Sequence, residues 1–182
     1  MNYVVSVAFT ASADVQYNIK TANLITIKGS FRDLESQIEA ASGELTLNYN
    51  FAYVPGVDDQ INYDFGNGII INGPFTINGN DHSICGSDTV RIFNVVSGTL
   101  TLNNVTVCDG NASEGAGVSV NSGAKLVAND VLFSENVAQE YNGGAIYTDG
   151  GEIALTDCVL DSNDVTKLET SSADNKGGAA IR

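Results

Sequence analysis

Few residues of this sequence have the types and spacing that catalysis requires. Proton transfer needs a titratable side chain with a partner within hydrogen-bond reach. The single histidine, His82, follows Asp81, but neighbouring side chains on a strand point to opposite faces. Arg91 lies near Asp88, and an exposed ion pair is the simpler explanation of that arrangement. We therefore predict no catalytic residue, no cofactor and no metal centre, so that the chain is not an enzyme.

Carboxylates occur in small groups that suit a hard cation such as calcium. Asp58 and Asp59 are adjacent, and Asp130 and Asp157 occupy the same place in two of the repeats described below, with Asn104 in a third. Stacked like charges repel, so a bound cation at that place is one hypothesis. The sequence has neither an EF-hand loop nor a Gly-Asp nonapeptide repeat, and solvated acidic loops are the alternative.

The three cysteines match neither a disulfide framework nor the spacing of a zinc site. If Ile84 aligns with Val107, Cys85 and Cys108 stack on adjacent strands with Cα atoms about 4.8 Å apart, which is within the disulfide range. An oxidising exterior would permit this bond. A disulfide between Cys85 and Cys108 is therefore a hypothesis, and two free thiols are the alternative that the uncertain register leaves open.

Composition narrows the class of protein. The chain has 182 residues and a net charge of −14, from 8 basic and 22 acidic side chains, which argues against nucleic acid or an anionic membrane as a partner. No apolar run approaches the ~20 residues of a transmembrane helix. With 19 glycines, two prolines, no tryptophan and 43% hydrophobic residues, the sequence is typical of a turn-rich all-β protein.

Two segments precede the region of strands. Residues 1–29 form either a first strand with alternating apolar residues or the remnant of a signal peptide that ends near residue 13. Residues 30–43 have helical spacing, and Ser30 with Asp33 three residues later resembles a capping box. We expect this helix to cover the open end of a stack of strands, whose edges would otherwise pair with other molecules.

From residue 44 onward the apolar spacing alternates and the sequence repeats itself. Aligned stretches begin at Leu45, Phe75, Leu100, Leu126 and Ile153, at intervals of 30, 25, 26 and 27 residues (75−45, 100−75, 126−100, 153−126). Repeats of this size are typical of solenoids. The later repeats hold two further strands each, and no helix separates them. We predict an all-β, right-handed parallel β-helix with three short strands per coil over residues 44–182.

A polar residue closes each aligned stretch at the same place. It is Asn48, Asn78, Asn103 and Asn129 in the first four stretches and Thr156 in the last. If successive coils stack at ~4.8 Å, these asparagines lie above one another and hydrogen-bond along the stack. Asparagine also tolerates the left-handed backbone that such turns require. Chance enrichment in an asparagine-rich chain is the alternative.

Two short motifs carry a resemblance to known proteins. Residues 143–146 (GGAI), with Gly143 and Gly144, and residues 133–136 (FSEN), with Phe133 and Asn136, match the GGAI and FxxN motifs. The chain from residue 30 to the end resembles the repeats of chlamydial polymorphic outer membrane proteins and of adhesin-like surface proteins of methanogenic archaea. Paired glycines permit a sharp bend with positive φ and a close approach of neighbouring coils.

This resemblance implies an extracellular module at the cell surface. Its role would be attachment or structural spacing. Its partner would be a glycan or protein on a host or microbial surface. Tyr141 and Tyr147 are the only residues that we name as candidate contacts for such a partner. The alternative is a fragment of a β-helical polysaccharide lyase or glycoside hydrolase, which needs an acidic cluster and a cation on one face. Residues 177–182 resemble the first strand of another coil. We therefore expect the β-helix to continue beyond them or to associate end to end.

Overall fold

The structure is a computed structural model, and it describes residues 27–60, 64–140, 142–166 and 179–182. The predicted first strand or signal remnant falls almost wholly outside the described residues, as do Tyr141, Gly177 and Gly178. One helix precedes the strands, α1 (Phe31–Ala40). The strands are β1 (Glu44–Thr46), β2 (Phe51–Ala52), β3 (Ile69–Asn72), β4 (Phe75–Asn78), β5 (Ser83–Cys85), β6 (Phe93–Ser97), β7 (Thr99–Cys108), β8 (Asn111–Ala112), β9 (Val118–Val120), β10 (Lys125–Ser134), β11 (Val137–Ala138), β12 (Ile146–Thr148), β13 (Glu152–Thr156), β14 (Val159–Asp161) and β15 (Asp164–Val165).

The strands form three parallel sheets. The first follows the order β1-β4-β7-β10-β13, with β2, β5 and β14 beside this path. The second has the order β12-β9-β6-β3, and the third has the order β15-β11-β8. Strands inside each sheet therefore pair with strands from the turns of chain before and after them, and strands at a sheet edge pair on one side. Over the described residues, the fold is a parallel β-solenoid of about four turns with one short helix, which confirms the predicted all-β class.

Strand pairing follows the sequence repeat over most of the chain. Phe75 pairs with Leu100, Leu100 with Leu126 and Leu126 with Ile153, at the predicted intervals of 25, 26 and 27 residues. Leu100 and Leu126 are fully buried because alternate residues of a strand face the same side. The repeated apolar columns thus stack into one continuous core inside the solenoid.

The first coil has a different register from the predicted one. Leu45 pairs with Ile77 rather than with Phe75, so the interval is 32 residues (77−45) instead of 30. Thr46 consequently lies beside Asn78. A shift of two residues keeps the same side chains facing inward, so an alternating pattern cannot distinguish these two registers.

Helix α1 closes the amino-terminal end of the stack and is shorter than predicted. The Ser30 hydroxyl accepts a hydrogen bond from the Asp33 amide at 3.2 Å, as the capping signal indicates. Phe31 and Leu34 are fully buried against the first coil. The helix ends at Ala40, because Ala41 already has an extended backbone (φ −82°, ψ 150°). In the described residues, no helix has the length and apolar character needed to cross a membrane.

Asp58 holds the amino terminus of α1 from a distant loop. Its fully buried carboxylate accepts hydrogen bonds from the amides of Phe31 (3.1 Å), Arg32 (3.0 Å) and Val54 (2.7 Å). Backbone amides and the helix dipole stabilise a negative charge at such an end. The interpretation of Asp58 as a solvated loop residue or a calcium ligand is therefore wrong.

The two glycines of the GGAI motif meet different steric requirements. Gly143 has a positive φ of 64°, which a residue with a side chain rarely adopts. Gly144 is enclosed by backbone, since a Cβ there would lie 2.6 Å from the Asn136 oxygen and 2.7 Å from the Ala179 oxygen. The pair thus combines a left-handed turn with a close approach between coils.

The FxxN motif supplies a buried polar bridge between coils. Phe133 and Asn136 are both fully buried. The Asn136 carboxamide accepts a hydrogen bond from the Gly110 amide (3.0 Å) and donates to the Val107 carbonyl (3.0 Å) and to Asn163 Oδ1 (2.9 Å). These bonds join three successive turns of the solenoid, because each buried polar group needs a partner.

We expect Asn136→Ala to lower the free energy of unfolding by about 3 kcal/mol, because buried amide and carbonyl groups lose their partners. Asn129→Ala is the matched control, since Asn129 is only half-buried and its carboxamide makes one side-chain bond, to Asn103. Its cost should be about 1 kcal/mol or less. Urea denaturation of both variants measures the difference, and equal losses would contradict the bridging role.

Candidate functional site

The residues with catalytic potential are held by structural contacts. His82 is half-buried, and its Nδ1 lies 3.1 Å from Asn50 Oδ1. The Arg91 guanidinium donates to the carbonyls of Glu114 (2.7 Å) and Gly115 (3.0 Å), in place of the predicted ion pair with Asp88. Burial lowers the pKa of Arg91, and the charge of Glu114 opposes that shift. His82 and Arg91 thus fasten loops to the stack.

An asparagine ladder runs along the first sheet. Asn103 donates to Asn78 Oδ1 at 2.8 Å, and Asn129 donates to Asn103 Oδ1 at 2.9 Å. Asn78 in turn donates to Glu44 Oε1 at 2.6 Å. Asn48 is not part of the predicted ladder, because the two-residue shift of β1 leaves it exposed. Its side-chain amide donates only a long hydrogen bond (3.4 Å) to the carbonyl of Thr46.

A second set of polar residues lies where the first sheet bends, and we call it the bend column. It consists of residues with a left-handed backbone on successive coils: Asp81 (φ 63°), Asn104 (φ 47°), Asp130 (φ 54°) and Asp157 (φ 53°). The Asn104 amide donates to Asp81 Oδ1 (3.0 Å) and to Asp130 Oδ2 (3.3 Å), which separates those two carboxylates. The sequence prediction included three of these residues and omitted Asp81.

The bend column borders a shallow groove, which we call the bend groove. Its volume is about 220 Å³, and its other side is formed by the outward-facing Thr106, Leu132 and Val159. Leu132 is 37% and Val159 56% exposed. The groove therefore offers carboxylates along one side and apolar surface along the other on the coils of Asp130 and Asp157, whereas the coil of Asn104 presents an amide and a hydroxyl group.

Tyr147 lies half-buried in β12, beside the turn at Gly115. Burial raises the pKa of its hydroxyl, and the charges of Glu114 and Asp149 raise it further. This environment indicates that Tyr147 packs at the edge of the core and favours that role over one as an exposed contact residue.

Cys85 and Cys108 form a disulfide between adjacent coils. Ile84 pairs with Val107, so the cysteines that follow are also paired. The Cα atoms are 4.5 Å apart and the sulfur atoms 2.07 Å apart. Cys158 is a free thiol and is half-buried. The bond fastens the coil that contains β5 to the coil that contains β7.

We expect alkylation without prior reduction to label Cys158 alone in the denatured chain. If the chain is reduced before alkylation, Cys85 and Cys108 should also be labelled, and mass spectrometry should show two further labels. Loss of a cross-link that closes 23 residues should lower the free energy of unfolding by about 3 kcal/mol. A Cys158→Ser variant controls for the third thiol. Three labels on the unreduced chain would contradict the bond.

Comparison with known proteins identifies no relative. The chain matches no protein-family model, no curated protein and no solved structure. The class of this protein is therefore defined by its own structure: it is a parallel β-solenoid that carries an asparagine ladder and the bend column. Sequence reasoning missed Glu44, which extends the ladder. It grouped Asp81 with Asp88 as nearby carboxylates and did not assign Asp81 to the bend column.

Proposed function

We propose that this chain is an adhesin-like module of the cell surface, with an attachment or spacer role and no catalytic activity. The observation that carries the proposal is the repetition of outward-facing side chains along the solenoid. In the bend groove, the pairing of a carboxylate with an exposed apolar side chain two residues later recurs on two successive coils, at Asp130 with Leu132 and at Asp157 with Val159. Because the bend groove runs across several coils, it suits an extended partner better than a small substrate.

The proposal includes a right-handed coil with three short strands in each turn. Connections between parallel strands are right-handed almost without exception, because twisted strands pack back onto their sheet only in that way. The presence of three sheets, each joined through successive turns, supports three strands in a coil. The resemblance of the GGAI and FxxN motifs supports the same architecture.

An extracellular location agrees with the chemistry of the chain. Disulfides persist mainly in oxidising surroundings, and Cys85 and Cys108 are bonded across two coils. The net charge of −14 favours solubility and disfavours binding to nucleic acid. We propose a glycan or a protein on a host or microbial surface as the partner. Exposed Leu132 and Val159 would contact its apolar parts.

A fragment of a polysaccharide lyase or hydrolase is the second candidate. The carboxylates of Asp81, Asp130 and Asp157 beside the bend groove favour it, because such enzymes use acidic side chains on one face. Against it, His82 and Arg91 are bound to other parts of the chain and are not among the residues that line the groove.

A glycan array, run in parallel with assays of turnover of acidic and neutral polysaccharides, tests both candidates. Each assay is carried out with and without calcium. Binding without turnover supports the adhesin-like module, and turnover would refute it in favour of the enzyme. If neither occurs, a glycan is not the partner, and attachment to a protein and the spacer role are the readings that stand.

The bend groove is tested with a double variant, Asp130→Asn with Leu132→Ser. If the groove is the contact surface, this variant should lose binding at least tenfold, which corresponds to about 1.4 kcal/mol. Ser122→Ala is the control, because Ser122 is exposed in the turn before β10 and does not line the groove. Equal binding by both variants would exclude the groove as the contact surface.

A further inference from the structure

We propose that Cys85, Cys108 and Asp109 form a binding site for a thiophilic divalent cation, such as zinc, when the disulfide is reduced. The two sulfur atoms and a carboxylate oxygen of Asp109 all lie within 4.8 Å of one another. Cys108 is buried, while Cys85 and Asp109 are half-buried. This site is separate from the bend groove and does not depend on the adhesin-like role.

The backbone places the three side chains together before any ion binds. Strand pairing sets Cys85 beside Cys108, with Cα atoms 4.5 Å apart. Asp109 follows in a left-handed conformation (φ 52°). Its amide donates to the Ser134 carbonyl (3.2 Å), and its carbonyl accepts from the Asp88 amide (2.8 Å). The turn is thus held on both sides by neighbouring coils.

The donor set matches the preferences of zinc. Zinc binds thiolate at about 2.3 Å and carboxylate at about 2.0–2.2 Å, and a tetrahedral site leaves the fourth position to water. Softer ligands such as thiolate discriminate against calcium and magnesium. Two thiolates on one zinc ion lie roughly 3.8 Å apart, a separation that cysteines on adjacent paired strands can reach by side-chain rotation.

The surrounding charge favours a cation. The carboxylates of Asp88 and Glu135 place further negative charge near that of Asp109. A divalent ion at the site would offset the repulsion among these charges. Asp88 and Glu135 therefore contribute to the affinity without being ligands.

Disulfide and metal ion exclude one another, so the site depends on the redox state. A dithiol reductant transfers two electrons and two protons to the disulfide, which yields two protein thiols and one oxidised dithiol. Zinc then replaces the two thiol protons, which are released to the solvent. An oxidised dithiol that takes up two electrons from the thiolates and two protons from the solvent would restore the covalent bond, expel the ion and leave as the reduced dithiol.

Metal titration of the reduced chain tests the site, with Cys158→Ser as the background to remove the third thiol. The chain is reduced with dithiothreitol, freed of reductant under anaerobic conditions and titrated with cadmium chloride. Ultraviolet absorption of the thiolate–cadmium bond is the readout, and zinc chloride is the competitor. We expect one ion for each reduced chain and none for the oxidised chain.

Variants identify the ligands. Binding should disappear in Cys85→Ser with Cys108→Ser and weaken roughly tenfold to 100-fold in Asp109→Asn. Asp149→Asn is the control, because Asp149 is an exposed carboxylate in the turn after β12 and belongs to neither this cluster nor the bend groove, and it should bind the ion like the parent chain.

Three binding results would each overturn the proposal. They are absence of binding by the reduced chain, equal binding by the double serine variant, and an unchanged affinity in Asp109→Asn. Circular dichroism is recorded for the reduced chain and for the double serine variant. Loss of the β signal in both would also refute the site, because its geometry requires paired β5 and β7.

Discussion

Gly144→Ala is expected to lower the free energy of unfolding by about 3 kcal/mol or more, or to prevent folding altogether. The added methyl group would lie 2.6 Å from the Asn136 oxygen, 2.7 Å from the Ala179 oxygen and closer still to the Asp164 oxygen. All three atoms belong to the backbone, and those of Asp164 and Ala179 lie on the next coil, so no side-chain rotation can relieve the collision. Urea denaturation, followed by circular dichroism, measures the loss.

Gly66→Ala is the matched control for this substitution. Neither glycine has a positive φ, so the change in backbone preference is similar. A methyl group at Gly66 would meet only the side chain of Asp64, which is exposed and can turn away. The control should therefore cost about 1 kcal/mol or less. A similar loss for both variants would mean that Gly144 is not constrained by its neighbours.

Asp58→Ala is expected to lower the free energy of unfolding by about 3–5 kcal/mol. The substitution leaves the buried amides of Phe31, Arg32 and Val54 without the carboxylate that accepts their hydrogen bonds, and each such loss costs about 1–3 kcal/mol. Hydrogen exchange should also show faster opening of α1, since the carboxylate fixes the start of the helix. Thermal and urea denaturation measure the change in stability.

The adjacent acid provides the control. Asp59 is exposed, and its carboxylate accepts one hydrogen bond, from the Gly56 amide at 2.7 Å. Asp59→Ala should change the free energy of unfolding by no more than about 0.5 kcal/mol. Asp58→Asn should lie between the two, because an amide keeps one acceptor oxygen but loses the charge. If Asp58→Ala and Asp59→Ala cost the same, the buried cap does not stabilise the fold.

The repeat was predictable because its causes are local. Inward-facing residues recur every second position, and turns recur at similar intervals, so the pairing of Leu100 with Leu126 and of Leu126 with Ile153 follows from the sequence pattern. The pairing of Cys85 with Cys108 has an interval of 23 residues (108−85), against 25 for Phe75 with Leu100 on the same two coils, so it required the separate alignment of Ile84 with Val107. A solenoid reduces the folding problem to contacts between neighbouring turns, which makes such patterns informative.

Two errors have different physical origins. Asn48 was assigned to the ladder because registers that differ by two residues bury the same side chains. Asp58 was interpreted as a surface residue because its partners at the start of α1 are 26 and 27 residues away in sequence. The local pattern of apolar and polar residues therefore contains no information on the competing register or on the distant backbone amides.

The sequence by itself determined the all-β class, the parallel stacking over the later coils and the columns that face inward. Only the tertiary structure decided which polar side chains are buried between coils, as for Asp58 and Asn136, and which form the bend groove. The burial of an apolar residue can be predicted from the alternating pattern of the short stretch that contains it. A buried polar group needs one specific hydrogen-bond partner, and that partner is known only once the coils are stacked.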